Sequence, residues 1–136
     1  PLLGICLGMQ LLFTESHEFG VHKGLNLIEG TVVKISNKKN KEIKIPHIGW
    51  NEIHPTNKKK EWKSMILENN LIGKSFYFVH SFICQTKNPN LTIAVCDYFD
   101  ISIPAVVSDN NIFGYQFHPE KSSNNGLAAL KNFCDI

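Results

Sequence analysis

Arginine is missing from this chain, and all 14 of its basic residues are lysine. That absence argues against a nucleic-acid binder, because the guanidinium fork supplies most bidentate contacts to bases and phosphates. The lysines also gather in polar stretches, Asn37 to Lys44 and Lys58 to Lys60, with no aromatic residue among them. They read as a solvated loop surface, and a net charge of +2 selects no partner. Also lacking is any apolar run near the ~20 residues that a membrane-spanning helix needs. The apolar opening Pro1 to Ile5 is short, has no basic leader, and reads as a strand rather than a secretory signal. The four cysteines, Cys6, Cys84, Cys96 and Cys134, make no C-x-x-C pair, so neither a zinc site nor a dithiol redox motif is expected. The expectation is a reduced, cytoplasmic protein without metal or cofactor.

What is present is the composition of a globular domain, with 43% hydrophobic and 19% charged residues. A chain of 136 residues suits one domain, burying roughly two-thirds of the surface its unfolded form exposes. Leu2 to Ile5 reads as the end of a buried strand, and Leu7 to Phe13 as a helix with Met9, Leu12 and Phe13 at helical spacing. Beyond Gly20 to Gly24 the pattern turns to strands. Thr31 to Ile35 and Glu42 to Ile45 flank the polar turn Ser36 to Asn40 and predict a hairpin. A short helix is expected over Trp62 to Leu67, and strands over Ser75 to Phe82, Leu91 to Tyr98, Ile103 to Val107 and Ile112 to Phe117. The last segment reads as a helix capped by Ser123 or Asn124, with Leu127, Leu130 and Phe133 on one face.

A buried parallel strand needs neighbours on both sides, yet here the opening strand leads straight into the residues richest in chemistry. The expectation is therefore that residues 1–136 form the C-terminal portion of a single, larger α/β domain whose first strands precede Pro1.

Gly4-Ile5-Cys6-Leu7-Gly8 has the form G-x-C-x-G, the cysteine counterpart of the nucleophile elbow G-x-S-x-G. The glycines allow a sharp turn and close packing of strand on helix, so that Cys6 stands at a helix N-terminus. There the free N–H groups favour thiolate and can bind a developing oxyanion. The plain alternative is a small buried hydrophobe between apolar neighbours. In Gln116-Phe117-His118-Pro119-Glu120, an alternating strand sends His118 and Glu120 to one side, where the carboxylate can fix the imidazole tautomer and the other ring nitrogen can face a thiol. The alternative for that motif is a solvent-facing turn.

Together, Gly4 to Gln10 and Gln116 to Glu120 resemble the class I, or triad, glutamine amidotransferases, and the resemblance covers essentially the whole chain. It implies a flavodoxin-like α/β fold with a mostly parallel central sheet plus added antiparallel strands, here without the N-terminal ones. It also implies a triad of Cys6, His118 and Glu120. Pro46-His47-Ile48-Gly49-Trp50-Asn51, Tyr77 to Phe82 and Glu120-Lys121-Ser122 are similar to the glutaminase subunits of imidazole glycerol phosphate synthase. The resemblance implies hydrolysis of L-glutamine through a thioester on Cys6. The ammonia would pass through a (β/α)8 cyclase partner that forms imidazole glycerol phosphate in histidine biosynthesis. Carried over by motif, Leu7 lends a backbone N–H to the oxyanion hole, Gln10, Ser81 and Phe82 hold the amino-acid end of glutamine, and Trp50 and Tyr77 lie towards the partner.

Other readings stay open at this level. Similar subunits supply ammonia for amination of surface-polysaccharide sugars. The family's domain also begins with strands and a glycine loop that gives a second oxyanion donor, so a truncated, non-catalytic binding fragment is the rival. A γ-glutamyl hydrolase, needing no ammonia acceptor, is disfavoured by Pro46 to Asn51. Trp50 and Tyr77 can equally be core aromatics. His80, within an apolar strand, reads as a structural hydrogen bonder; Cys84, Cys96 and Cys134 read as packing residues, and His17, His22 and His54 receive no role.

Overall fold

The computed structural model describes residues 1–36, 43–56, 62 and 66–136. Short runs of β-branched and aromatic residues, broken by Gly, Asn and Pro, favour strands over helices in most of this chain. In chain order the described elements are β1 (Leu2–Ile5), α1 (Leu7–Leu11), β2 (Phe13–Ser16), β3 (His22–Lys23), β4 (Ile28–Lys34), β5 (His47–Pro55), β6 (Ser75–His80), β7 (Phe82–Thr86), β8 (Thr92–Tyr98), β9 (Ile101–Asp109), β10 (Ile112–Tyr115) and α2 (Ser123–Cys134). A six-stranded sheet runs β1-β10-β9-β8-β5-β6, and a four-stranded sheet runs β3-β2-β4-β7. The expected α/β fold with added antiparallel strands is thus present as mixed sheets, but the six-stranded sheet is not mostly parallel among the described residues, because hairpin-type connections join most of its strands. Among the described residues β1 pairs in parallel with β10, and β2 with β4, while the other pairings are antiparallel.

Two apolar cores follow from the two sheets. Met9, Leu12 and Phe13 bury against Ile28, Val32 and Cys84, which seats α1 on the four-stranded sheet. Phe76, Phe78, Tyr115 and Phe117 form the centre of the larger core, where Ala129 of α2 packs. The buried Tyr115 hydroxyl is satisfied by donating towards the Ile66 and Ala129 carbonyls at 3.1 and 3.0 Å, tying α2 to the sheet.

Four expectations about the elements need correction. The first helix ends at Leu11, and Phe13 opens β2, because Phe13 to Ser16 gain parallel pairing with β4 as well as burial of Phe13. The hairpin over Thr31 to Ile45 does not form. Both edges of β4 are occupied, by β2 and β7, so a strand at Ile43 to Ile45 would have no free edge to join. The turn at 37–40 and Glu42 lie outside the described residues, as do residues 63–65 of the expected helix at Trp62 to Leu67. The strand expected over Ser75 to Phe82 is cut at Ser81, where the chain leaves the six-stranded sheet and enters the four-stranded one.

The fourth correction concerns α2. Its buried line is Gly126, Ala129 and Asn132, whereas Leu127 is 62% exposed. Close approach decides this orientation: a Cβ at Gly126 would stand 1.9 Å from the Pro119 carbonyl oxygen, so only the glycine side can press against the turn that carries Glu120. Its N-cap is Ser122 rather than Ser123 or Asn124.

Candidate active site

Cys6 joins β1 to α1 with φ 50° and ψ −107°, a left-handed conformation that is costly for a residue with a Cβ. The surrounding structure enforces it. The Cys6 N–H donates to the Tyr115 carbonyl at 2.7 Å, continuing the β1–β10 register, while the Gln10 N–H returns to the Cys6 carbonyl at 3.2 Å. Gly4 makes the sharp turn possible, since a Cβ there would stand 2.5 Å from the Gly8 carbonyl oxygen. Gly8 itself faces open space and is not required by packing. The elbow geometry anticipated from G-x-C-x-G is therefore present.

The thiol is half-buried, and its electrostatics differ from the expectation. Burial raises the Cys6 pKa above the ordinary thiol value; the Leu7 N–H and the Gln116 amide act to lower it, and the Glu120 charge acts to raise it. The N–H at the start of the helix does favour thiolate, but α1 has only five residues and desolvation outweighs it. A thiol held this way needs a base. Its sulfur donates towards the Val79 carbonyl at 3.9 Å and receives the Gln116 side-chain N–H at 3.8 Å, and it makes no hydrogen bond to His118.

His118 and Glu120 do pair: His118 Nδ1–H donates to Glu120 Oε1 at 2.7 Å. The route differs from strand alternation. β10 ends at Tyr115, and Pro119 to Lys121 form a single 3-10 turn that folds the carboxylate back under the ring. The His118 backbone is clamped to β6. Its N–H donates to the Tyr77 carbonyl at 2.9 Å, and the fully buried Ser122 hydroxyl donates to the His118 carbonyl at 2.6 Å while accepting the Tyr77 N–H at 2.9 Å. Cys6 rests on Val79 and His118 on Tyr77, two residues apart along one strand and hence only about 7 Å along β6. Sequence reasoning assigned Ser122 no role.

Behind the thiol lies a buried polar chain. Gln116 is fully buried; beyond its bond to Cys6, its Oε1 accepts from Gln10 Nε2 at 3.5 Å. The same Gln10 nitrogen donates to the Phe82 carbonyl at 3.2 Å, which also accepts His80 Nδ1–H at 2.9 Å. Gln10 and Phe82 are therefore brought together. Ser81 occupies the step between the sheets, where its carbonyl takes the Ile35 N–H at 2.9 Å. Gln116 was singled out only as part of its motif, and the signal available was an amide inside the apolar run Ile112 to Phe117.

A cavity of about 190 Å³ opens beside the elbow, lined by Leu7, Gln10 and Leu11 with Ser16, Glu18, His22 and Lys23 at its polar side. Ser81 and Phe82 are not among its lining residues, and Phe82 bears on it only through Gln10. On the other side of the site Trp50 is 52% exposed, with its ring 6.0 Å from Tyr77 in an edge-on contact, which rules out a core role for Trp50. Ile48, two residues earlier on β5, is exposed on the same face. Cys84 and Cys96 are buried as anticipated, but Cys134 is exposed and is not a packing residue.

Among the described residues no group of three or more His, Cys, Asp or Glu side chains converges as a metal site. No described helix is long and apolar enough to cross a membrane.

Comparison with known proteins adds an independent line. The family described as glutamine amidotransferase class-I matches residues 1–136. Imidazole glycerol phosphate synthase subunit HisH 1 of Legionella pneumophila strain Paris is 46% identical over 138 residues, which take in 100% of this chain and 65% of that protein. Subunit HisH of Pyrococcus furiosus is 47% identical, covering 98% of this chain and 63% of the relative. That of Helicobacter hepaticus is 49% identical, covering 99% and 59%. The chain thus spans a little under two thirds of the length of these relatives. Among solved structures, the crystal structure of a glutamine amidotransferase superposes with a TM-score of 0.59 at 16% identity, over 98% of this chain and 60% of that one, which speaks to the fold alone.

Proposed function

This chain belongs to the class-I glutamine amidotransferases, and from that premise we propose that it carries the glutaminase chemistry of an ammonia-supplying subunit, with Cys6 as nucleophile, His118 as base and Glu120 as the group that orients it. The single observation that carries the reading is the approach of a strained, half-buried cysteine and a carboxylate-oriented histidine, which contact Val79 and Tyr77, two residues apart on β6.

In this reading His118 takes the thiol proton, the sulfur attacks the side-chain carbonyl carbon of L-glutamine, and the Leu7 N–H supports the oxyanion. The C–N bond breaks as the proton passes to nitrogen, and ammonia leaves. Water, deprotonated by the same imidazole, then hydrolyses the thioester to glutamate and restores the thiol. Glutamine enters the cavity by Leu7 and Gln10, with Glu18 available to its ammonium group and Lys23 to its carboxylate. Gln10 lines the same cavity, and Phe82 bears on it only by anchoring the Gln10 amide through its carbonyl. Raised by burial and without a hydrogen bond to His118, Cys6 is poorly armed as it stands, which supports a site that stays slow until a partner docks.

The partner is a (β/α)8 cyclase subunit that consumes the ammonia to form imidazole glycerol phosphate in the cytoplasmic synthesis of histidine. Names of relatives at 46 to 49% identity support that assignment. The exposed Ile48 and Trp50 with Tyr77 form the surface turned towards it. The test uses the complete subunit with its cyclase. Cys6→Ala is expected to abolish glutamine-driven synthesis, by about 10⁴-fold or more, while synthesis from ammonium salts continues. Retained glutamine hydrolysis in that variant, or no Cys6 adduct with 6-diazo-5-oxo-norleucine in the folded native subunit, would sink the reading.

A further inference from the structure

Outside the triad the most unusual chemistry is a pair of buried histidines strung between β5 and the glutamine-facing step. Asn51 Nδ2 donates to the Asp97 carbonyl at 3.0 Å, which turns its Oδ1 towards His47 Nε2 at 2.8 Å. His47 Nδ1 and His80 Nε2 stand 3.0 Å apart. At the far end His80 Nδ1 meets the Phe82 carbonyl at 2.9 Å. His47 is fully buried and His80 nearly so.

Counting hydrogens along this chain gives a conflict. Both ends, Asn51 Oδ1 and Phe82 O, are acceptors. Both outer ring nitrogens must therefore carry hydrogen, and a third hydrogen must lie between the inner two. Two neutral imidazoles hold only two. Whenever the pair is neutral, one of the three contacts must open, because two acceptors cannot stay in hydrogen-bond contact in a buried site.

The surroundings favour the neutral pair. His47 stacks on Phe78 of β6 and lies 4.1 Å, centroid to centroid, from Tyr98 of β8, whose hydroxyl is committed to the Lys44 carbonyl. From beyond β10, His118 faces His80. Burial lowers the His47 pKa, against the pull of Asn51. Burial also brings His80 down to about 4, where the Phe82 carbonyl opposes the shift and His47 and His118 add to it.

We propose that His80 is a positioning residue for the glutamine site and that His47 sets its tautomer, so that the hold on the Phe82 carbonyl is exchanged for the hold on Asn51. This rests on the glutaminase reading. In one state His80 Nδ1–H grips Phe82, His47 Nδ1–H serves His80, and Asn51 is released. In the other, His47 Nε2–H grips Asn51, His80 Nε2–H serves His47, and Phe82 is released. The Phe82 carbonyl also anchors Gln10, and through Gln116 the chain reaches the Cys6 sulfur. Asn51 neighbours the exposed Trp50 on β5. A load on β5 that draws Asn51 away selects the state in which His80 also fixes the carbonyl that anchors Gln10, and the pair thereby couples the outer face of β5 to glutamine affinity.

The test uses the complete subunit with its cyclase partner. His80→Leu removes the donor to Phe82, whereas His80→Asn keeps an N–H where Nδ1 was. His80→Leu is expected to raise the KM for glutamine about tenfold with little change in kcat, and His80→Asn to recover most of that loss. With ring-labelled histidine, NMR of the native subunit is expected to show two protonated ring nitrogens on the pair at neutral pH, with the His80 Nδ1–H population rising when the partner binds. Equal KM in all three proteins, or equal loss in two variants that melt with the native protein, overturns the proposal. So does a His80 Nδ1 protonation that ignores the partner, a result available even where His80→Leu does not fold. A native subunit that forms no Cys6 adduct with 6-diazo-5-oxo-norleucine counts against the glutaminase reading instead, while the NMR measurement still decides the tautomer exchange.

Discussion

Two groups meet at the Ser122 hydroxyl: it donates to the His118 carbonyl and accepts the Tyr77 N–H, and no water reaches it. Replacing it with alanine leaves the buried Tyr77 N–H without that partner and the His118 carbonyl with the Lys121 N–H alone, a loss of about 1 to 3 kcal/mol. Ser122→Ala is accordingly expected to lower the urea midpoint and to reduce kcat more than it raises KM, since it frees the histidine and not the glutamine pocket. An unchanged kcat in a folded variant would show that the Tyr77 carbonyl and Glu120 hold His118 without the hydroxyl. At this scale much of the site was legible. Cys6, His118 and Glu120 carried their chemistry in residue type and spacing. Ser122 and Gln116 did not, because a serine after a lysine and a glutamine in a strand acquire meaning only from what the fold sets against them.

Among the elements, the join between β1 and α1 does the most for the site. The left-handed backbone at Cys6 persists because Gly4 lets the first turn of α1 come within a Cβ's width of the strand. Gly4→Ala would force a methyl group onto the Gly8 carbonyl, so about 1 to 3 kcal/mol of stability is expected to be lost, read as a fall in thermal midpoint, with Cys6 labelling lost alongside. Full labelling at native stability would mean that the elbow tolerates a wider turn. The glycine pattern announced this element. The break at Ser81 was hidden, since Ser75 to Thr86 is nearly continuous in β-forming residues and nothing local marks a change of sheet. The face of α2 was misread for a related reason: periodicity favoured its large residues, while contact with Pro119 admitted only the smallest.

On the scale of the whole molecule, the two sheets divide the labour. The four-stranded sheet seats α1, while the six-stranded sheet carries Cys6 at the end of β1 and holds His118 through β6. β6 and β7 are consecutive strands of different sheets, with the Ser81 step as their hinge. The solvent face of β5 carries Ile48 and Trp50, apolar residues that a sheet surface does not need for folding. On the proposed interface, Trp50→Ala is expected to weaken binding of the proposed cyclase partner by about 30-fold in calorimetric titration, with the stability of the free subunit little changed. An unaltered Kd would move the interface elsewhere.

Tyr77 looks both ways. Its ring lies against Trp50 at the surface, while its main-chain N–H and carbonyl belong to the clamp on His118. Between the outside of this protein and the proposed base there is thus only the width of one amino acid. A group that displaces the ring therefore bears on the same residue from which the His118 backbone hangs.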